Sequence, residues 1–194
     1  MSDGDEFISN YILESANVLR GMIALKVEIE LSVQFCKRAI SNGRKIVFCG
    51  NGGSAADAQH LAAELMGRFM VDREPLPALA LTVDTSALTA IGNDYGFEEI
   101  FARQLRGIGA AGDVVVGMST SGESQNVVRA FSVARQMGIT TIGMTGASGG
   151  AVAALSDILL PVQDSRTSHI QEAHIVIGHL MCAMIERELC LSKQ

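Results

Sequence analysis

Five short apolar runs set the architecture of this chain: KIVFC at 45–49, LPALAL at 76–81, DVVVGM at 113–118, ITTIGM at 139–144 and DILLPV at 157–162. Most are continuous and rich in β-branched residues, where a strand with one wet face would alternate apolar and polar positions. Such strands need cover on both faces. Helical stretches lie between the runs, at about 54–69, 97–107, 125–137 and 150–155, and a long amphipathic stretch follows at about 168–190. Strand and helix in alternation predict a three-layer α/β/α sandwich around a five-stranded parallel sheet, doubly wound in the flavodoxin-like manner.

Before the first run, Ile8, Ile12, Ala16, Leu19, Met22, Leu25, Ile29, Val33, Cys36 and Ile40 recur at three- and four-residue steps with no proline. That spacing predicts two helices, or one interrupted helix, closed by Asn42-Gly43. The expected organisation is a single domain over residues 1–194, with a helical region at 1–43 and an α/β core at 44–194.

Charge narrows the partners. Fifteen Lys plus Arg against 21 Asp plus Glu give a net charge of -6, the wrong sign for binding nucleic-acid phosphates. With no Trp and two Tyr, stacking platforms are scarce as well. No apolar run approaches the roughly 18 residues of a membrane span, and the opening MSDGDEF has neither the basic start nor the apolar stretch of a secretory signal. Neither nucleic acid nor membrane is expected as a partner. Cys36, Cys49, Cys182 and Cys190 form no CxxC pair, and three of them sit among apolar neighbours as reduced thiols do, which fits a cytoplasmic protein.

In doubly wound sheets ligands bind beyond the carboxyl ends of the strands, so the loops after the strands carry the interest. After the third run comes Ser119-Thr120-Ser121-Gly122-Glu123-Ser124. Hydroxyls, a glycine and the start of a helix favour an anion such as phosphate; the plainer alternative is a helix cap, but four hydroxyls exceed what capping needs. After the first run comes Gly50-Asn51-Gly52-Gly53-Ser54, which has neither dinucleotide-fingerprint nor P-loop spacing. Its glycines suit close ligand approach or a tight turn. His60 and Glu64, four apart on the next helix, present an imidazole and a carboxylate from one face, a pair that can hold a metal, move protons or simply meet at the surface. On the last helix Gln171, Glu172, His174 and His179 interrupt an apolar series. Gln171 and His179 are separated by about 80° and about 12 Å in a regular helix, so joint ligation requires converging side chains. His174 reads as a core residue.

Four blocks, GNGGSAADAQHLAAEL at 50–65, TAIGNDYGFEEIFARQ at 89–104, GDVVVGMSTSGES at 112–124 and IQEAHIVIGHL at 170–180, resemble the phosphoheptose isomerases, which consist of one sugar isomerase (SIS) domain. The resemblance implies an aldose-ketose isomerase that converts sedoheptulose 7-phosphate to D-glycero-D-manno-heptose 7-phosphate, for lipopolysaccharide or capsule heptose. It implies a homotetramer with active sites between subunits and the N-terminal helices at the oligomer interface. On matching positions it implies that Ser119, Thr120, Ser121 and Ser124 hold the phosphate. Asn51, Gly52, Gly53, Glu64, Asn93, Asp94 and Gln171 would line the sugar site. His60, Glu64, Gln171 and His179 would bind one Zn2+ per subunit, with Glu64 as general base and His179 as general acid. Some relatives carry an acid at the position of Ser168, to which no role is assigned; His169, an extra imidazole near the implied metal, reads as a helix-start residue rather than a further ligand. Two non-catalytic alternatives resemble the same domain: a tetrameric scaffold for a replication-initiation protein, which lacks the carboxylate matching Glu64, and a sugar-phosphate-sensing module.

Overall fold

The computed structural model describes residues 3–191, so the ends of the expected single-domain span, 1–2 and 192–194, lie outside the described residues. The amino-terminal periodicity resolves into helix α1 (Asp3–Gly21), a 3-10 turn at Met22–Leu25 and helix α2 (Lys26–Ser41). Gly43, at φ +68, turns the chain out of α2. Strand β1 (Ile46–Gly50), α3 (Gly53–Met66), β2 (Ala78–Ala80), α4 (Thr85–Tyr95) and α5 (Ile100–Ile108) follow. The second half holds β3 (Val114–Ser119), α6 (Gln125–Gln136), β4 (Thr140–Gly146), α7 (Gly150–Ala153), β5 (Ile158–Val162) and α8 (Thr167–Glu186).

All five strands pair in parallel in the order β2-β1-β3-β4-β5. The chain leaves β1 in one direction across the sheet and returns beyond it at β3, so the switch point falls between those two strands. Side-chain period explains the two covering layers. Ile46, Phe48, Val114, Val116 and Met118 pack into one cluster with residues of α2, α3 and α8, whereas Val47, Cys49 and Val115 pack into another with residues of α5 and α6. At about 25 cal/mol per Å2 of apolar surface removed from water, these two cores are the main stabilising contribution. The three-layer expectation matches the coordinates.

Two expectations need correction. Helix α4 lies where no helix was expected: it has no fully buried residue, and only the part-buried Leu88 and Ile91 pack against the second cluster. What starts it is Asp84, whose carboxylate accepts from the Ala87 amide at 2.9 Å. Helix α3 stops at Met66, ahead of the expected 69, because Gly67 follows and the chain turns away there. Cys36, Cys49 and Cys182 are buried free thiols, and burial pushes the Cys49 thiol up to about 12.

Candidate active site

The β3–α6 turn gathers its hydroxyls into a knot. Ser119 Oγ donates to Ser124 Oγ at 2.8 Å and lies 3.5 Å from Ser121 Oγ, while the Glu123 amide donates to Ser121 Oγ at 3.1 Å. Ser124 occupies the position preceding α6, yet its side chain makes no capping bond. The plain capping alternative therefore fails for the residue best placed to cap. Gly122, at φ +71, makes the turn possible, and a Cβ there would meet the Gly149 carbonyl at 2.2 Å. The Thr120 carbonyl accepts from the Gly146 amide at 3.0 Å, fixing the loop to the end of β4.

The β1–α3 loop lies beside it. Asn51 and Asn126 exchange paired amide bonds of 2.9 and 2.8 Å, tying the two loops together across the switch point. Gly52 enters α3 at φ +55 with no side-chain cap. Gly53 packs against Gln171, whose Cδ a Cβ would meet at 3.3 Å. Two helix starts thus face one corner, the arrangement in which backbone amides and helix dipoles favour an anion.

Helices α3 and α8 run side by side in the same direction, and their contacts climb like rungs. Gln171 Nε2 donates to both carboxylate oxygens of Asp57, at 2.9 and 2.8 Å. Gly178 comes next, so close that a Cβ would meet Leu61 Cδ1 at 2.5 Å. Then His179 Nε2 lies 2.9 Å from His60 Nε2, and His60 Nε2 lies 3.3 Å from Glu64 Oε1. At that short nitrogen-nitrogen distance one ring carries the proton and the other offers the lone pair. Phe69 stacks on the His179 ring at 5.6 Å between centroids and 20° between planes.

His60, Glu64 and His179 come together, with ligand atoms all within 4.8 Å of one another. Gln171 holds Asp57 one rung earlier, on a helix that stays regular from Thr167. Asn93 and Asp94 are exposed on α4 and bond to each other at 2.8 Å. His169 is buried beside Tyr11 and Asp164, away from the cluster, and Ser168 is exposed. His174 is a core residue bonded to the Thr145 carbonyl at 3.2 Å. Sequence reading passed over Asp57, whose burial raises its carboxyl pKa against the pull of the Gln171 bond and of both imidazoles. The available signal was a lone acid among Ala residues, three before His60.

Two imidazole nitrogens and a carboxylate oxygen converging from two helices match the three-ligand sets of catalytic zinc sites, which leave a further position open. His60, Glu64 and His179 therefore fit a divalent zinc ion.

The fold and these loops define the class first: a SIS domain family model matches residues 10–146. Eight curated relatives, 47–59% identical, share one description. A phosphoheptose isomerase of Akkermansia muciniphila is 50% identical over 184 residues, 95% of this chain and 97% of that protein. The structure of a phosphoheptose isomerase from Neisseria gonorrhoeae superposes with a TM-score of 0.88 at 45% identity, covering 94% of this chain and 98% of the other. One from Francisella tularensis gives 0.92 at 36% identity, covering 96% and 100%. The chain belongs to the phosphoheptose isomerase family of SIS domains.

Proposed function

We propose that the chain interconverts sedoheptulose 7-phosphate and D-glycero-D-manno-heptose 7-phosphate, a step of heptose precursor synthesis. One observation carries the assignment: Glu64 lies in a cluster with two imidazoles, where proton transfer requires a base and an acid. The scaffold alternative lacks that carboxylate.

In the ketose-to-aldose direction, Glu64 takes a proton from C1 while His179 protonates the C2 oxygen. The C1–H pair becomes the C1=C2 bond of a cis-enediol. Glu64 then returns its proton to C2, and the O1 hydroxyl gives its proton to His179 as the C1=O bond forms. Both groups end as they began. Ser119, Thr120, Ser121 and Ser124 hold the phosphate, whose distance from the reacting carbons fixes the sugar's reach; Asn51, Gly52 and Gly53 line its path. When held by His60, Glu64 and His179, zinc would polarise the carbonyl and enediol oxygens in place of the His179 proton, with the Gln171 amide oxygen as the proposed fourth donor while its nitrogen stays on Asp57. Glu64 turns Oε1 toward His60, which leaves its second oxygen for the proton.

We assign the protein to a homotetramer whose sites lie between subunits. Phe7, Ile8, Ile12, Leu13, Ile23 and Val27 stand exposed on the N-terminal helices, an apolar surface of the kind that self-association covers. Asn93 and Asp94 are assigned to the sugar site through that assembly. Among the described residues no helix is long and apolar enough to cross a membrane. We assign the protein to the cytoplasm instead on the free, buried thiols of Cys36, Cys49 and Cys182. Incubation with sedoheptulose 7-phosphate, followed by 13C NMR, should show an aldose signal growing as the ketose signal falls; bound but unconverted ketose would leave a sensing module instead.

A further inference from the structure

Helix α3 ends at Met66, and a helix end leaves its last carbonyls without amide partners. Arg73 supplies donors there, beside the Leu76 amide that reaches the Leu65 carbonyl at 3.0 Å. Its Nη2 donates to the Glu64 carbonyl at 2.9 Å, and its Nη1 donates to the carbonyls of Leu65 at 2.8 Å and of Gly67 and Glu74 at 3.1 Å. The Nε of the same guanidinium meets Glu186 Oε1 at 3.0 Å, with the two side chains only 4% and 2% exposed. Glu186 also accepts the amides of Phe69, Met70 and Val71, at 3.2, 2.7 and 3.2 Å. Burial works against its charge, yet the amides of Met70, Phe69 and Val71, with Arg73, hold its carboxyl below the ordinary carboxylate range.

The bonds are aimed at the proton-transfer cluster. Glu64 is the residue whose carbonyl Arg73 Nη2 grips. Glu186 stands seven positions after His179, about two turns, so it projects from nearly the same face of α8 roughly 10 Å further along. Phe69, whose amide sits on Glu186, lays its ring against His179. One buried ion pair thereby joins the helix end that bears Glu64, the helix that bears His179 and the ring that walls the imidazole.

We infer that Arg73 and Glu186 are positioning residues: without touching substrate, they set the separation of Glu64 and His179 through the α3 terminus and the Phe69 ring. The inference rests on the isomerase assignment only for its kinetic consequence. Removing one partner alone would strand a buried charge, so the Arg73→Met/Glu186→Leu double variant, which removes both, is the informative change. It should fold, with kcat lower by about tenfold or more, since small misplacements of reacting groups are costly, and KM within about twofold of the parent. In proton NMR the His179 Cε1 hydrogen should lose the upfield shift that the stacked Phe69 ring imposes.

A folded double variant that keeps either its kcat or its His179 resonance overturns the inference, as does a rise in KM that matches the loss in kcat. If the double variant does not fold, Arg73→Lys decides. Lysine keeps the charge opposite Glu186 but lacks the planar fork that spans the carbonyls, so kcat should fall by about threefold or more and the resonance should move. No change in either measurement would overturn the proposal. Parent protein that binds the sugar phosphate without converting it removes the isomerase assignment, and the resonance alone then decides the positioning role.

Discussion

The 119–124 loop and the His60, Glu64 and His179 cluster are assigned to one reaction but are built in opposite ways. The loop is one uninterrupted segment, its shape set by a strand end, a glycine at φ +71 and the start of a helix. The cluster joins residues 119 positions apart, and its geometry depends on how closely two helices pack. On these assignments phosphate binding is a local property of the sequence, whereas proton transfer is a property of tertiary packing. Changes to the loop should weaken hold on the phosphate, and changes to the packing should slow chemistry.

The largest expected effect is on turnover, where Glu64 is assigned as both base and zinc donor. Glu64→Gln keeps size and polarity but loses the base, and kcat should fall by about a hundredfold or more; steady-state kinetics with sedoheptulose 7-phosphate measure it, and near-normal turnover would break the division of roles. Next comes Gly178→Ala, beside His179 at the α3–α8 contact. Its Cβ would press on the buried Leu61 and spread α3 from α8, so kcat should drop about tenfold with a stability loss of about 1–3 kcal/mol, read by kinetics and denaturant titration. An intact kcat would mean that helix spacing does not govern the cluster. Ser121→Ala should act on the other region, raising KM about tenfold with kcat nearly unchanged, because a hydrogen bond to a charged group contributes about 1.5–3 kcal/mol, part of which the neighbouring hydroxyls recover.

The smallest effect separates the scaffold from both regions. Burial lowers the His174 pKa to about 4, with the Thr145 carbonyl bond acting in the opposite direction. An unfolded chain therefore binds the proton near pH 6.5 while the folded one refuses it until about pH 4. This contribution is complete above pH 6.5 and is lost as pH falls toward 4. Denaturant titration should find stability about 2 kcal/mol lower at pH 5 than at pH 7 from this group. In His174→Gln that difference should shrink, while KM at pH 7 should stay near the parent value.

The same contrast explains what could be read from sequence. Continuous β-branched runs revealed a sheet buried on both faces, because burial leaves no polar alternation to find. The serine loop was legible because all its parts are adjacent. Helix α4 escaped notice because its apolar face is short, only Leu88 and Ile91 packing part-buried against the core behind the Asp84 cap. His60 and Glu64 were visible as a pair, but their partner His179 needed the family resemblance, since no local spacing links the two helices. Gln171 was expected among the metal donors, and its bond to Asp57 could not be foreseen, because that bond depends on the register of α3 against α8. Arg73 and Glu186 lay beyond reach for the same reason, being 113 positions apart.

The separation of holding from proton transfer is tested most directly by calorimetric titration of sedoheptulose 7-phosphate into Glu64→Gln. The expected result is a dissociation constant within about fivefold of the parent KM in a protein that has nearly stopped turning over. Affinity that collapses in step with turnover would contradict it and make Glu64 a binding residue.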